Sequence, residues 1–432
     1  MNVKNIGAQM HGWAHDLFPI CRSLTGDGVR ATLSYIQERL PGLQILSVPS
    51  GTQAFDWTVP DEWTIRDAYV LDESGTRIID FKENNLHIVG YSEPVDKYLD
   101  LEELNNHLYS LLEQPDAIPY ITSYYARRWG FCLTHNQRLS LLPGRYHVVV
   151  DSDLKPGVLN YAELVLPGET DEEVLLSTYI CHPSMANNEI SGPVVTMALA
   201  QWLQSLEKRR YTYRIIFIPE TIGSIVYLSC NIEHLKRQVK AGFNITCIGD
   251  ERCYSYLPSR DGNTLSDRAA LHVLKHIDPG FNRYSWLDRG SDERQYCAPG
   301  IDLPMATIMR SKYGQYPEYH TSLDDLNLVT STGLGGGFSA LQQAILAVEH
   351  NVLPRITVLC EPMLSKRRLY PTLSTKESGG QVRAMMNLLS YCDGRHELLD
   401  IAEIIGEPVG KLVDILKPLI AHGLIEVVSQ RA

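Results

Sequence analysis

The pattern between residues 173 and 248 constrains the fold of this chain more than any other feature. Short apolar segments with strand character alternate there with segments that have helical apolar spacing. The strand-like segments are 174–180, 213–218 and 242–248, and the helix-like segments are 193–206 and 225–236. Such alternation is typical of a mostly parallel sheet with helices on both faces. The sequence therefore predicts a doubly wound α/β fold.

Two other regions differ from this alternating pattern. Residues 48–92 resemble short strands separated by turns, and the long linker that follows them indicates an insertion into a larger domain. After Pro354, three helix-like segments and a closing strand follow, which is the pattern of a winged helix-turn-helix. We expect an α/β core at 1–47 and 143–353, an inserted β-rich domain at 48–142, and a winged helix at 354–432.

The charge of the predicted winged helix limits what it can bind. The basic residues near its second and third helices are Arg395, Lys411 and Lys417, and several acids lie among them. Contacts to phosphate need a denser basic face, so DNA binding is disfavoured. A protein is the partner that we expect at this domain.

The composition is that of a soluble enzyme. The chain has 432 residues and a net charge of −12, which disfavours a large nucleic-acid interface. Its nine cysteines are scattered, without a close Cys-x-x-Cys pair, which favours reduced thiols. No stretch approaches the roughly 20 apolar residues of a membrane span, and the N-terminus lacks a signal-peptide pattern. We therefore expect a cytoplasmic protein without a membrane partner, and a homo-oligomer is compatible with these features.

Polar residues directly follow three of the predicted strands. His182 follows the first strand, Glu220 the second and Asp250 the third. Ligands of open α/β sheets gather beyond the carboxyl ends of parallel strands, so these positions are candidates for a site. Each residue also has a simpler interpretation, as a structural histidine or a helix-terminal acid. The threefold repetition favours function.

These residues suit a catalytic zinc ion, which needs three or four N, O or S donors and one open position. His182, Asp250 and His320 can supply donors from separate loops. Asn188 can add an amide oxygen, although a carboxylate would bind more strongly. Glu220 is then the candidate general base.

Charged residues elsewhere are candidates for substrate binding. Arg128 lies in the cluster Arg127-Arg128-Trp129, and Arg294 ends the cluster 288–294. They either bind a substrate carboxylate or form surface salt bridges. We also assign Tyr319, which precedes His320, to the substrate site.

The motifs resemble those of the zinc aminopeptidases, a group that includes bacterial leucyl aminopeptidases, glutamate carboxypeptidase II and glutaminyl cyclases. The matching segments occur in the same order here. They are His182, the segment 187–192 (Asn-Asn-Glu-Ile-Ser-Gly), Glu220-Thr221, Thr246 or Asp250, the segment 291–296, and the segment 319–324 (Tyr-His-Thr-Ser-Leu-Asp).

Over nearly its full length the chain resembles a bacterial family of aminopeptidase-like proteins from polysaccharide biosynthesis loci. The segments 127–133, 180–185 and 288–296 carry this likeness. The resemblance implies a peptidase-like core with an inserted β domain and a C-terminal winged helix. We expect the insert to lie beside the catalytic opening and to restrict access to small substrates.

The chain departs from the aminopeptidase pattern at two ligand positions. The carboxylate that bridges two zinc ions in that group falls on Asn188, and the second Glu of the Glu-Glu pair falls on Thr221. The resemblance therefore implies one zinc ion, held by His182, Asp250 and His320, with Glu220 as the base.

The sequence leads to one main functional hypothesis and two alternatives. The main hypothesis is a metal-dependent amide hydrolase of aminopeptidase type that acts on a small aminoacyl conjugate or short peptide, in a polysaccharide or natural-product pathway. The first alternative is a catalytically weakened scaffold that binds partners through its insert and winged helix. The second is a transcriptional regulator, which the weakly basic winged helix disfavours.

Overall fold

The computed structural model describes residues 3–369 and 376–428. The helices of the described part are α1 (Val3–Leu17), α2 (Asp27–Arg39), α3 (Leu101–Asn105), α4 (His135–Ser140), α5 (Ser191–Gln204), α6 (Ile222–Gln238), α7 (Leu265–Ile277), α8 (Glu293–Tyr296), α9 (Ser331–Glu349), α10 (Lys376–Tyr391), α11 (Leu398–Ile405) and α12 (Val409–Ala421).

The strands of the described part are β1 (Gln44–Pro49), β2 (Gln53–Ala54), β3 (Trp57–Thr58), β4 (Glu62–Leu71), β5 (Arg77–Asp80), β6 (Val95–Asp100), β7 (Leu108–Tyr109), β8 (Phe131–Cys132), β9 (Arg145–Lys155), β10 (Val158–Leu166), β11 (Glu173–Tyr179), β12 (Thr212–Ile218), β13 (Val239–Asn244), β14 (Ser255–Leu257), β15 (Asn282–Arg283), β16 (Met305–Met309), β17 (Leu353–Ile356) and β18 (Ile425–Val428).

The central sheet has the strand order β1-β10-β12-β11-β13-β16-β14-β15. Its middle strands, β12, β11, β13 and β16, pair in parallel, and antiparallel pairs occur toward the edges. Every residue of β11 is buried, as expected for a strand that is covered on both faces. The prediction of a mostly parallel α/β sheet is therefore confirmed.

The β-rich lobe contains a four-stranded antiparallel sheet of order β5-β4-β9-β6. Strand β4 pairs with β9 along nearly its whole length. Because β9 ends at Lys155, the sheet of the lobe continues beyond residue 142, where the sequence placed its boundary. β1 pairs instead with β10 of the central sheet, so the lobe begins after this strand.

The chain divides into two compact units, residues 1–262 with 282–339 and residues 263–281 with 340–432. The second unit contains the predicted helices α10, α11 and α12, and the closing strand β18 pairs with β17. It also contains α7, which the sequence assigned to the core. Arg268 of α7 forms an ion pair with Glu397 at 2.8 Å, which links this helix to the start of α11.

None of the described helices combines the length and apolar character that a bilayer crossing requires.

Candidate active site

A cavity of about 260 Å³ lies at the carboxyl ends of the parallel strands β11 and β12. His182 follows β11 and Glu220 follows β12, so the strand-end rule brings these two residues together. The other walls come from the β lobe and from the loop before α9. The lining residues are Leu24, Trp57, Tyr120, Thr122, Tyr124, Tyr125, Cys181, His182, Glu220, Thr221, Ile222 and His320. The expected position of the lobe beside the site is thus observed.

His182 is buried and has both ring nitrogens next to carboxylates. Its Nδ1 lies 2.9 Å from Oε2 of Glu189, and its Nε2 lies 3.5 Å from Oε2 of Glu220. Because an ionised carboxylate can only accept, Nδ1 is the nitrogen that donates to Glu189. Nε2 is then the nitrogen that faces Glu220.

A buried arginine balances the charge of Glu189. Nε of Arg22 lies 3.3 Å from Oε1 of Glu189 and donates to the backbone oxygen of His182 at 2.9 Å. Burial lowers the pKa of Arg22, and the charge of Glu189 opposes that shift. Burial also lowers the pKa of His182, but Cys181 and Glu189 shift it upward, and the net pKa is raised. Arg22 and Glu189 together fix the orientation of the imidazole.

Cys181, His182 and Glu189 have potential ligand atoms within 4.8 Å of one another, which is the spacing of a metal site. Other contacts argue against a cation there. Sγ of Cys181 lies 3.5 Å from Nδ1 of His182, the nitrogen that already donates to Glu189. The charge of Glu189 is in turn balanced by Arg22. Burial raises the pKa of the Cys181 thiol to about 11. A neutral thiol beside a guanidinium is a poor cation ligand, so we interpret this cluster as support for His182.

Glu220 stands on a strained turn between β12 and α6. Thr221 has φ 64° and ψ −78°, and the Ile222 amide donates to the Glu220 carbonyl at 2.8 Å, which is a γ-turn. The Thr221 amide donates to Asp292 at 2.7 Å, which holds the turn in place. Burial raises the pKa of the Glu220 carboxyl. Strain of this kind is found often at functional sites.

His320 faces the same cavity from the loop before α9. Its ring stacks on Tyr319, with centroids 3.8 Å apart, and meets the edge of Tyr120 at 5.1 Å. The centroids of His320 and His182 are 5.6 Å apart. Burial, together with the charge of His182, lowers the pKa of His320 to about 3. Its Nε2 is buried and lacks a hydrogen-bond partner among the described residues.

Asn188 lies in a π-helical turn, Ala186–Ile190, that precedes α5. Its Nδ2 donates to the Tyr179 hydroxyl at 3.1 Å, and that hydroxyl lies 2.6 Å from Oγ1 of Thr246. Its Oδ1 is buried without a hydrogen-bond partner in the described part of the chain. The carboxylate of Asp324 accepts a hydrogen bond from the backbone amide of Asn188 at 3.0 Å and so joins the turn to the loop that carries His320. The Asn188 side chain thus lies in a neutral cluster with the hydroxyls of Tyr179 and Thr246.

The structure does not bring Asp250 to this site. The carboxylate of Asp250 is fully buried, and it accepts hydrogen bonds from the Asn187 side chain, from the Arg252 amide, and from the amide and hydroxyl of Ser311. Within the described residues, its oxygens do not complete a close ligand group with His182 and His320. Asp250 follows a strand, as predicted, but its oxygens stabilise the surrounding loops.

The predicted substrate-binding residues lie at the edge of the site. Nη2 of Arg294 donates to Oγ1 of Thr221 at 2.9 Å, and Nη2 of Arg128 donates to the Thr122 carbonyl at 2.7 Å. Neither arginine lines the cavity, although each contacts a residue that does. Tyr319 reaches the site by stacking on His320.

Sequence reasoning missed the support of His182 and the tyrosines of the lobe. Glu189 lies within the motif segment 187–192, seven residues after His182, and the motif alone does not reveal its contact with the imidazole. The distance of Arg22 in sequence gives no local signal. Tyr120 likewise has no local signal in the sequence, because only the fold of the lobe brings it to the two histidines.

Comparisons with known proteins agree with the architecture. Residues 11–351 match a family model described as a domain of unknown function, DUF4910, and residues 351–427 match a winged helix-turn-helix model. A Clostridium acetobutylicum protein is 43% identical over 407 residues, which are 93% of this chain and 92% of that protein. It is named as a candidate polysaccharide biosynthesis protein with an aminopeptidase-like domain. The predicted winged helix is confirmed.

Solved structures show the same fold. A crystal structure of a candidate peptidase from Clostridium acetobutylicum has a TM-score of 0.93 and 41% identity, and the match covers 99% of this chain and 98% of that one. The zinc aminopeptidase BSAP from Bacillus subtilis has a TM-score of 0.57 at 11% identity, with 80% and 94% covered. A peptidase M28 precursor from Shewanella amazonensis has a TM-score of 0.54 at 11% identity, with 83% and 98% covered. The fold is therefore aminopeptidase-like, as the motifs implied.

Proposed function

The chain belongs to the DUF4910 family, and we propose that it is a single-zinc amide hydrolase that cleaves a small aminoacyl conjugate. The name of the Clostridium relative supports a role in polysaccharide biosynthesis. All nine cysteines lie in the described part and are free thiols, which supports placing the reaction in the reducing cytoplasm.

The observation that carries this proposal is the unpartnered Nε2 of His320. Leaving a buried polar atom without a partner costs about 1–3 kcal/mol, so such an atom in a cavity points to a ligand. The cavity also contains His182, whose Nδ1 is fixed by Glu189. Imidazole nitrogens are common zinc ligands, and the fold is that of zinc aminopeptidases. These residues fit a zinc ion.

The donor set suits one ion better than two. His182 Nε2 lies 3.5 Å from Oε2 of Glu220, so the proposed ligand nitrogen and the proposed base face the same part of the cavity. The Oδ1 of Asn188 is a further oxygen without a partner among described residues. A second ion would need the carboxylates that Asn188 and Thr221 replace, and Asp250 is engaged elsewhere. We therefore propose His182 and His320 as the ligands, with Asn188 as an auxiliary donor.

Each residue of the site has a role in this mechanism. Bound zinc would polarise the amide carbonyl and lower the pKa of a water molecule. The Glu220 carboxylate accepts a proton from water and returns it to the departing amine, which its raised pKa favours. Glu189 holds His182 in one orientation, and the tyrosines of the lobe exclude bulk water.

The scaffold alternative shares the same fold but has no catalytic step. It is favoured by the replaced carboxylates and by the winged helix, which offers a surface for a protein partner. On α12, Lys417 lies 3.4 Å from Asp414, and Lys411 lies 2.8 Å from Glu407. These neighbouring acids reduce the positive field, so the winged helix supports a protein partner better than nucleic acid.

A screen of aminoacyl amides with the zinc-loaded protein separates the two alternatives. We expect hydrolysis by the wild type, none after chelation, and none by Glu220→Gln, which should retain zinc. If the zinc-loaded wild type hydrolyses none of the amides, the catalytic proposal fails and the scaffold is favoured.

A further inference from the structure

The aromatic mouth of the cavity, formed by Trp57 and Tyr125, carries an inference about the substrate. We infer that this mouth binds the pyranose ring of an amino sugar, whose amino group carries the scissile amide. The reaction part of this inference rests on the proposed function. The binding of a sugar can be tested without any hydrolysis.

Both mouth residues are unusually exposed for their size. Trp57 is 38% exposed and Tyr125 is 58% exposed, and both line the cavity. Phe55, two residues before Trp57, is 57% exposed and has φ 53° in the turn between β2 and β3. Large aromatic side chains are normally buried well, and exposed groups of them often mark binding sites. Of the hairpin's aromatic residues, Trp57 is the one that lines the cavity entrance.

The angle between the two rings indicates the kind of ligand. The centroids of Trp57 and Tyr125 are 5.7 Å apart and their planes meet at 68°. Because the two rings meet edge to face, they leave no parallel slot in which a flat ring could lie between them. The two rings form a corner instead. A saturated, puckered ring with apolar C–H faces fits such a corner.

The inner wall of the cavity is rich in hydroxyl groups. Tyr120, Thr122, Tyr124 and Thr221 line it, and the hydroxyls of Tyr120 and Tyr124 lie 2.5 Å apart. Among the described lining residues there is no lysine or arginine, and Glu220 is the one carboxylate. Such a wall suits a neutral ligand with hydroxyl groups, and it offers a phosphate no lysine or arginine.

The size of the cavity restricts the ligand to about one ring with its acyl group. Its volume of about 260 Å³ is just below the range of roughly 300–1,000 Å³ that is usual for small-molecule sites. His182, Glu220 and His320 lie at the inner end and the aromatic corner lies at the mouth. A sugar ring in the corner therefore places its amide toward Glu220.

Hydrolysis of such an amide is a balanced reaction with water. The hydroxyl of water bonds to the acyl carbon while the C–N bond breaks. The proton of water passes through Glu220 to the nitrogen. The products are the free amino acid and the free amino sugar.

The test uses the methyl glycoside of N-acetylglucosamine as the probe, with binding to the full-length protein followed by ligand-observed NMR. We expect Trp57→Ala to weaken binding by at least about tenfold and Tyr125→Ala by severalfold. Tyr98→Ala is the matched control, because Tyr98 is a lobe tyrosine with 59% exposure that does not line the cavity. This control should bind like the wild type.

The inference is overturned if the wild type does not bind the probe, if Trp57→Ala binds it equally well, or if uridine binds more tightly than the sugar. His320→Ala separates this inference from the proposed function. That variant should lose zinc but keep sugar binding. Sugar binding that depends on Trp57, in a protein without amidase activity, would support the subsite and refute the reaction.

Discussion

The loops that follow β11 and β13 each carry a candidate metal ligand, but the two residues differ in their chemistry. Each places a polar residue after a buried parallel strand, His182 in one and Asp250 in the other. His182 uses Nδ1 for Glu189 and turns Nε2 into a cavity. Asp250 has both oxygens occupied by protein donors and is fully buried. A position at the end of a strand therefore marks a residue as a candidate ligand. Whether it can bind a metal ion depends on whether its donor atoms are still free of protein hydrogen bonds.

Two buried acids, Glu189 and Asp292, support the residues of the cavity. Glu189 and Asp292 each hold a group of the cavity from behind. Glu189 fixes the ring of His182, while Asp292 accepts the Thr221 amide and thereby holds the turn that carries Glu220. Burial raises the pKa of Asp292 to about 7, and the charge of Glu220 adds to that shift. Both acids are buried, so they hold His182 and the Glu220 turn in place without facing the substrate.

The largest expected effect concerns Asp250. Replacing Asp250 by Ala should lower the free energy of unfolding by roughly 3–5 kcal/mol, because the buried donors of Asn187, Arg252 and Ser311 lose their acceptor. Denaturant unfolding measures this loss. The zinc content of the folded variant should equal that of the wild type.

Asp250→Asn is the matched control, since it retains an acceptor oxygen and should cost less than the Ala variant. A variant of Asp250 that folds normally but lacks zinc would show that this residue is a ligand after all. The distinction between the two loops would then fail.

The second effect concerns the support of His182. Glu189→Gln should weaken zinc binding by about 10–100-fold, because the acceptor that orients the imidazole loses its charge. Competition with a chelator of known affinity measures the change. Glu251→Gln is the matched control, because it makes the same change at an exposed carboxylate that does not line the cavity. Equal zinc affinity in Glu189→Gln and the wild type would refute this role.

The smallest effect concerns Asn188. Asn188→Asp should raise zinc affinity by about tenfold, since a carboxylate would replace the neutral amide oxygen that we propose as the auxiliary donor. Adding Thr221→Glu in that background should create a second, weaker zinc site. Isothermal titration gives both the affinity and the stoichiometry. A double variant that behaves like the wild type would refute the view that Asn188 and Thr221 account for the missing second ion.

The fold could be predicted well from the sequence. The alternation of apolar strands and helices after residue 173 reflects a sheet that is covered on both faces, and this signal is strong because it repeats. The boundary of the lobe was harder to place. Strand β9 lies after the predicted boundary at 142 but pairs with β4, and no pattern in β9 itself reveals which sheet it joins.

The site could be predicted only in part. His182, Glu220 and His320 converge as expected, because strand ends and the motif order place them there. The role of Asp250 could not be foreseen, since it depends on Ser311, which lies 61 residues away in sequence. Arg22 and Tyr120 reach the site through tertiary contacts, which a single sequence does not encode locally.

The central claim is that His182 and His320 hold one zinc ion. Elemental analysis of the purified wild type, His182→Ala and His320→Ala, each incubated with zinc and then freed of excess metal, tests it most directly. We expect about one zinc ion per wild-type chain and none in either variant, with circular dichroism unchanged. Two zinc ions in the wild type, or full zinc occupancy in either variant, would contradict the account.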